Sequence, residues 1–192
     1  REDTSYALVV DHTRTGLSTM RRVMGLWGGS SGSLLFFAAI VGSVLCLTPA
    51  LKHQRVAVPV VHTVLAASST WIASPFERID EPPVSGSGLD PVLEHWAMLI
   101  HPPLLYVGLA LSLVPGLAHP IPVPEWKRAA IATLSAGLAV GARWAHVEPG
   151  WGGWWTWDPV QNAALIPWLL LVASFHLPHR HRLAQWCVLG AW

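Results

Sequence analysis

The chain has 192 residues, of which 52% are hydrophobic and only 12% are charged, about half the charged fraction of a soluble domain. A mean hydropathy of +0.42 favours an integral membrane protein, and a net charge of +1 argues against nucleic acid as a partner. Cys46 and Cys187 lie far apart in apolar surroundings, so they indicate neither a redox pair nor a thiolate metal site.

Five continuous apolar runs have the length of membrane-spanning helices or nearly so, and none alternates like a strand. We therefore predict an all-α, polytopic membrane helix bundle. Residues 1–32 form an external segment, 33–182 the transmembrane core, and 183–192 the start of a truncated sixth helix, as expected of a piece of a longer protein. The predicted spans are 33–50, 56–74, 96–118, 129–146 and 160–177.

Basic residues predict the orientation of these spans, because cytoplasmic loops carry an excess of lysine and arginine. Three alternating loops contain such residues: Lys52 with Arg55, Lys127 with Arg128, and Arg180 with Arg182. The loops 75–95 and 146–159 are then external. Arg14, Arg21 and Arg22 of the external segment run against the rule, which long translocated segments obey poorly.

The loop before the fifth span is the most informative stretch. Residues 150–157 read Gly-Trp-Gly-Gly-Trp-Trp-Thr-Trp, and Asp-Pro follows. Tryptophan favours the membrane–water boundary or a flat ligand, and four indoles in seven positions exceed what anchoring needs. The loop indicates an aromatic surface for a large planar molecule, with haem as the obvious candidate. The candidate binding residues are Trp151, Gly152, Gly153, Trp154, Trp155, Trp157 and Asp158.

A haem site needs axial ligands for the iron, for which neutral imidazole is the common choice. His101 lies near the outer end of the third span, level with the tryptophan loop. His176 lies about 24 Å beyond Val160 along a straight helix, so it cannot share one iron with His101. Plainer roles are a backbone hydrogen bond for His101 and a structural role for His176. Two haem sites, or one haem and one structural histidine, are implied.

Other polar residues carry weaker signals. Asp158 before a proline predicts an N-cap for the fifth helix. Gln161 and Asn162 are placed to contact a ligand or satisfy helix-end groups, and Arg143 to pair with a haem propionate or with Glu148. Among the remaining histidines, His62 is a candidate because it lies within a predicted span, and His95 is expected to face away from His101. The others are expected to lie at the surface or to carry no signal. They are His119 and His146 at the membrane interface, His179 and His181 in solvent or at lipid headgroups, and His12 and His53 without a signal.

Residues 150–159 resemble the WWD signature of haem-handling proteins in cytochrome c assembly, and most of all its CcmF/NrfE branch. Other stretches resemble motifs of that branch in matching order and spacing along nearly the whole chain. They are 26–35 (Leu-Trp-Gly-Gly-Ser-Ser-Gly-Ser-Leu-Leu), 75–78 with 88–91 (Pro-Phe-Glu-Arg and Gly-Leu-Asp-Pro), and 100–106 (Ile-His-Pro-Pro-Leu-Leu-Tyr). The resemblance implies the N-terminal portion of a larger haem lyase of the bacterial inner membrane.

In that family the external WWD loop holds haem delivered by a CcmE-type chaperone. The resemblance implies that His101 ligates the iron of this haem and that His176 ligates a structural b-type haem in the membrane. It also implies that the second axial ligand of each iron lies outside this chain. Apocytochrome c supplies the thiols that add to the haem vinyl groups, so no residue here is a catalytic nucleophile. A thioredoxin-like or CcmH-type subunit, quinol and the lipid bilayer complete the implied partners.

Departures from the family pattern leave details open. Ser30-Ser31 replace its His-Glu, Gln161 replaces its usual Glu, and the approach 146–149 is unusual. Two alternatives also stay open: a haem exporter or delivery protein of the CcmC or CcsA type, and a cofactor-free membrane scaffold. The motifs at 26–35 and 100–106 argue against the first alternative, and copurifying haem would argue against the second.

Overall fold

A computed structural model describes residues 3–118, 121–148, 150–177 and 182–190, and its regular structure within these ranges is helical. The only extended pairing in these ranges is an isolated bridge between Tyr6 and Arg78. The predicted all-α class is confirmed. The helices are α1 (Ala7–His12), α2 (Thr19–Gly25), α3 (Ser30–Leu47), α4 (Ala57–Trp71), α5 (Ala97–Leu117), α6 (Pro124–Val147), α7 (Pro159–His176) and α8 (Arg182–Leu189), with 3₁₀ turns at Pro49–Leu51 and Pro91–Glu94.

Each predicted span coincides with a helix, although some ends differ. α6 begins at Pro124 rather than at 129, with proline in its first positions and Glu125 in its first turn, and both favour a helix start. Long charged side chains at a helix end can reach the interface, so hydropathy alone placed this start too late. The short helices α1 and α2 were not predicted, because six and seven residues show too little periodicity.

Membrane crossing is supported for two of these helices. Within the described ranges, α3 and α5 are long and apolar enough to span a bilayer. α4 has 15 residues, about 22 Å of helix against a hydrocarbon core of about 30 Å. The number of crossings and their orientation therefore stay predictions.

The chain divides into two compact units, Arg1–Ala39 with Val60–Leu99 and Ile40–Pro59 with Ile100–Trp192. In the first unit, Trp27 stacks on Phe36 with ring centroids 4.8 Å apart. The indole N–H of Trp27 also donates to the carbonyl oxygen of Met98 at 2.8 Å. The tryptophan of the motif 26–35 is thus a buried anchor with its donor satisfied.

His12, to which we assigned no role, packs on the glycines of the same motif. A Cβ atom at Gly28 would lie 2.6 Å from Cδ2 of His12, so the imidazole fits only against glycine. Nδ1 of His12 is buried and has no hydrogen-bond partner in the described part of the chain. The glycines of the motif therefore serve side-chain packing.

The second unit has its core where α6, α7 and α8 meet. Ala130, Leu134, Leu171 and Val188 are its buried members. Glycine permits α5 to approach α6, since a Cβ atom at Gly108 would lie 2.6 Å from Cγ of Leu134. This close approach positions the histidine of α5 described below.

Lys127, used above only to predict orientation, is 8% exposed in the structure. Its Nζ donates to the carbonyl oxygen of Ser174 at 3.2 Å. Ser174 lies in the last turn of α7, where unpaired carbonyls carry the negative end of the helix dipole. Lys127 therefore ties the start of α6 to the end of α7 that carries His176.

Candidate functional site

The imidazole of His101 is held by the facing helix. Its Nδ1 lies 2.8 Å from the carbonyl oxygen of Gly137, and because a carbonyl can only accept, Nδ1 is the protonated nitrogen. The ring lies over Gly141, where a Cβ atom would be 2.7 Å from Nδ1. The backbone hydrogen bond offered above as the plainer role is thus present. It leaves the lone pair on Nε2, the arrangement usual for metal-ligating histidines.

Aromatic contacts connect His101 with the tryptophan loop. The His101 ring meets Trp144 edge to face, with centroids 6.2 Å apart. Trp144 is buried near the end of α6 and packs on Trp151, with centroids 5.1 Å apart. The predicted ligand and the predicted aromatic surface are therefore joined through one indole that the sequence analysis did not single out.

The loop presents its indoles outward. Trp151 is 37% exposed, Trp154 53% and Trp157 71%, whereas Trp155 is half-buried. The backbone turns before Trp151 and again before Trp154 at glycines with positive φ: Gly150 (90°), Gly152 (82°) and Gly153 (109°). Glycine adopts this conformation without steric cost, so the glycine positions determine where the indoles point.

Trp157 also has a left-handed backbone, with φ of 60°, and no other non-glycine residue of the described ranges does. This conformation costs about 1–2 kcal/mol for a residue with a Cβ atom. Nδ2 of Asn162 donates to the carbonyl oxygen of Trp157 at 2.9 Å. Strain of this kind persists where neighbours hold it and is common at ligand sites.

Replacing Trp157 with glycine should relieve this strain while removing an indole. Trp157→Ala is the matched control, because it removes the same indole, with its contact to Trp155, but keeps a Cβ atom at the positive φ. We expect the opening free energy of residues 155–158, from amide hydrogen exchange, to be about 1–2 kcal/mol higher in Trp157→Gly than in Trp157→Ala. The opposite order would show that Trp157 is not strained.

Asp158 caps α7 and organises the end of the loop. Its Oδ1 accepts from the backbone N–H of Gln161 at 2.8 Å, and its Oδ2 from the hydroxyl of Thr156 at 2.8 Å. Oε1 of Gln161 in turn accepts from the backbone N–H of Thr156 at 2.7 Å. This reciprocal pattern resembles a capping box, and a glutamine oxygen can accept this hydrogen bond as a glutamate oxygen would.

Acid should weaken this cap. Hydrogen bonds from the Gln161 N–H and the Thr156 hydroxyl hold the pKa of Asp158 below its usual range. The stabilisation is present above the unfolded pKa of about 3.9 and is lost as the pH falls through the lower folded pKa. We expect hydrogen exchange at the amides of residues 160–162, corrected for intrinsic rates, to accelerate as the pH falls through this range. Asp158→Asn keeps the acceptor without the titration, so an equal acid step in both proteins would contradict the assignment.

A further feature of the loop fits a planar ligand that can accept a hydrogen bond. Nε1 of Trp155 is buried and has no hydrogen-bond partner within the described ranges. Buried donors are almost always paired, so one left unpaired beside exposed indoles is expected at a site that a ligand completes. Together with Nε2 of His101, the loop suits a tetrapyrrole whose iron needs an axial imidazole.

His176 lies at the opposite end of α7 from the loop. The helix runs continuously from Pro159 to His176 through the internal Pro167, a length of about 26 Å. The side chain of His176 is exposed, and its ring lies edge-on to Phe175. The structure thus does not bring His176 together with the loop, consistent with the two levels expected from spacing.

The other histidines separate by environment. Nδ1 of His95 accepts from the backbone N–H of Ala97 at 3.1 Å and so supports the start of α5. His53 and His62 are exposed, and His146 stacks on Trp154. His119, His179 and His181, together with Arg180 and Pro149, lie outside the described residues.

The structure bears on one of the two roles left open for Arg143, the ion pair with Glu148. The ion pairs within the described ranges join Arg14 and Arg21 to Glu94. Arg143 is exposed and is not paired with Glu148 there, so the predicted alternative of an Arg143–Glu148 pair is wrong. Its guanidinium remains available for another partner.

Comparisons with known proteins agree with the helical fold and the loop. Residues 123–191 match the family model described as cytochrome C assembly protein. The chain is 33% identical to the cytochrome c-type biogenesis protein CycK of Bradyrhizobium diazoefficiens, over 97% of this chain and 32% of that protein. It is 34% identical to the probable cytochrome c-type biogenesis protein NrfE of Escherichia coli, over 91% of this chain and 36% of that protein.

A solved structure named cytochrome c heme lyase CcmF has a similar fold, with a TM-score of 0.70 and 25% sequence identity over 98% of this chain and 36% of that one. The chain spans about a third of the length of the curated relatives it matches. The family model covers the tryptophan loop and α7, and nearly the whole chain aligns with these relatives. Both findings confirm the resemblance inferred from the motifs. Residues 123–191 therefore match the cytochrome C assembly protein family, and nearly the whole chain is similar to the proteins named CcmF, NrfE and CycK.

Proposed function

We propose that the protein is a haem-handling component of cytochrome c maturation that presents haem on the loop 150–158 for covalent attachment to apocytochrome c. The observation that carries the proposal is the state of His101. Its Nδ1 donates a hydrogen bond to the carbonyl oxygen of Gly137, which leaves the lone pair of Nε2 available to a metal. Its ring contacts Trp144, which packs on Trp151. The names of the relatives, which refer to cytochrome c biogenesis and haem lyase, support this assignment.

In the proposed reaction haem is the cargo, and the chain positions it. Nε2 of His101 occupies one axial position of the iron, while the indoles of Trp151, Trp154 and Trp157 contact the macrocycle. The two cysteine thiols of the apocytochrome add across the vinyl groups, so that in each addition the S–H bond and the C=C π bond are replaced by a C–S and a C–H bond. No nucleophile from this chain is needed, and its contribution is orientation within reach of the thiols.

The second proposed site is a structural b-type haem in the membrane, ligated by His176, with electrons supplied by quinol. The exposed side chain of His176 is compatible with a further ligand from outside this chain. We place the protein in the bacterial inner membrane, with 1–32 and the loop 146–159 external and 33–182 as the transmembrane core. The proposed partners are a CcmE-type haem chaperone, apocytochrome c and a CcmH-type assembly subunit.

Copurification of haem tests the proposal directly. The protein is purified from membranes in mild detergent, and its reduced pyridine haemochrome spectrum is recorded. Haem is expected, and its transfer to a coexpressed apocytochrome c should yield a product whose haem resists acid–acetone extraction. Haem without attachment would favour the exporter or delivery protein, and no haem in any preparation would favour the scaffold.

A further inference from the structure

His146 and Trp154 form a flat stack where α6 meets the loop. Their ring centroids are 4.4 Å apart, and their planes lie within 13° of each other. Both side chains are exposed. Stacking on Trp154 covers one face of the imidazole and leaves its two nitrogens at the ring edge, where they can bond a further group in the ring plane. The sequence alone predicts an interfacial position for His146 and no contact with the loop.

Arg143 lies three residues before His146, and side chains at this spacing are neighbours on one face of a helix. Within the described ranges no carboxylate lies within ion-pair distance of Arg143 or His146. Asp158, the acid at the end of the loop, is engaged by Thr156 and Gln161. The end of α6 therefore carries a cation and an imidazole that lack an acidic partner, beside an exposed indole.

Haem has a matching division of character. Its apolar macrocycle suits indole faces, while its two propionates carry negative charge on one edge and need donors there. A guanidinium binds a carboxylate through two parallel N–H bonds, and an imidazole N–H supplies a further donor.

We propose that Arg143 and His146 bind the propionates of the haem presented on the loop 150–158, an inference that rests on the function proposed above. With the propionate edge held against α6, the vinyl groups on the far side of the macrocycle face away from that helix. The pair is therefore a positioning device that turns the reacting edge of haem toward the incoming apocytochrome.

The test compares haem with haem dimethyl ester, in which both propionates are esterified, by absorbance titration of the haem-depleted protein in detergent. Arg143→Gln removes the guanidinium charge, and His146→Phe keeps a flat ring on Trp154 without its nitrogens. Arg128→Gln is the matched control, because it removes an exposed arginine from the other end of α6. Arg143→Gln should bind haem about tenfold more weakly and His146→Phe about threefold more weakly. The ester should bind all three variants as it binds the wild type.

Each other outcome has a distinct meaning. Unchanged haem affinity in Arg143→Gln would overturn the propionate site, and so would an equal loss of affinity for haem and for the ester. If the wild type and the variants all bind haem equally well, the haem-handling function stands and only the propionate site is wrong. A wild type that binds neither compound would overturn both proposals.

Discussion

Replacing His101 with alanine should remove haem from the loop while sparing the haem proposed at His176. Within the described ranges, His101 is the only histidine that combines two features. Its Nδ1 is hydrogen-bonded to a backbone carbonyl, and its ring contacts Trp144, which packs on Trp151. Removing a residue that hydrogen-bonds to a metal-ligating side chain costs about 10- to 100-fold in metal affinity. Removing the ligand itself should therefore weaken haem binding by about 100-fold or more. The measurement is haem per protein from the reduced pyridine haemochrome spectrum.

The reciprocal variant and a control make this result specific. His176→Ala should lose only the membrane haem, because the length of α7, about 26 Å, separates His176 from the loop that α7 follows. His53→Ala removes an exposed histidine and should keep the wild-type haem content. Full haem content in both His101→Ala and His176→Ala would contradict both proposed iron sites.

Gly141→Val should weaken haem binding at the loop almost as much as His101→Ala does, although position 141 contributes no ligand atom. A Cβ atom there would lie 2.7 Å from Nδ1 of His101, so the ring must move away from the carbonyl oxygen of Gly137 or the helices must separate. Valine also has a higher helix propensity than glycine, so a weaker α6 would not explain the loss. We expect about 10- to 100-fold weaker binding of haem, measured by titration.

Ala139→Val is the control for this substitution. It places the same side chain on an exposed position of α6, two residues before Gly141, and should bind haem as the wild type does. Gly141→Ala should give an intermediate loss, because its single Cβ atom creates the same short contact without the two further methyl groups. Wild-type affinity in Gly141→Val would show that the position of the His101 ring does not control the ligand.

Much of the fold was predictable because the helices coincide with continuous apolar runs. The third span was predicted at 96–118, and α5 runs from Ala97 to Leu117. Such a run needs only backbone hydrogen bonds within itself, so its extent depends on local composition. Prediction was poorer where the first turns of a helix carry charged residues, as in α6 after Pro124. It was also poorer where a helix is too short to show a hydrophobic periodicity, as in α1.

The candidate site divides in the same way. The loop and His101 stood out in the sequence because their residue types are unusual over a short span. The support of His101 by Gly137 and Gly141 involves residues 36 and 40 positions away, and it depends on how α5 and α6 pack. The stack of His146 on Trp154 likewise depends on how the loop folds back on α6.

By itself, the sequence determined the all-α class, the positions of the long helices, the tryptophan loop and the resemblance to cytochrome c assembly proteins, because each follows from composition, spacing or motifs along the chain. Only the tertiary structure decided that Nε2 of His101 is the available nitrogen, that Arg143 does not pair with Glu148, and that Gln161 supports Thr156. Hydrogen bonds and ion pairs require partners within about 3–4 Å, and sequence separation does not specify such distances once the backbone leaves a regular helix.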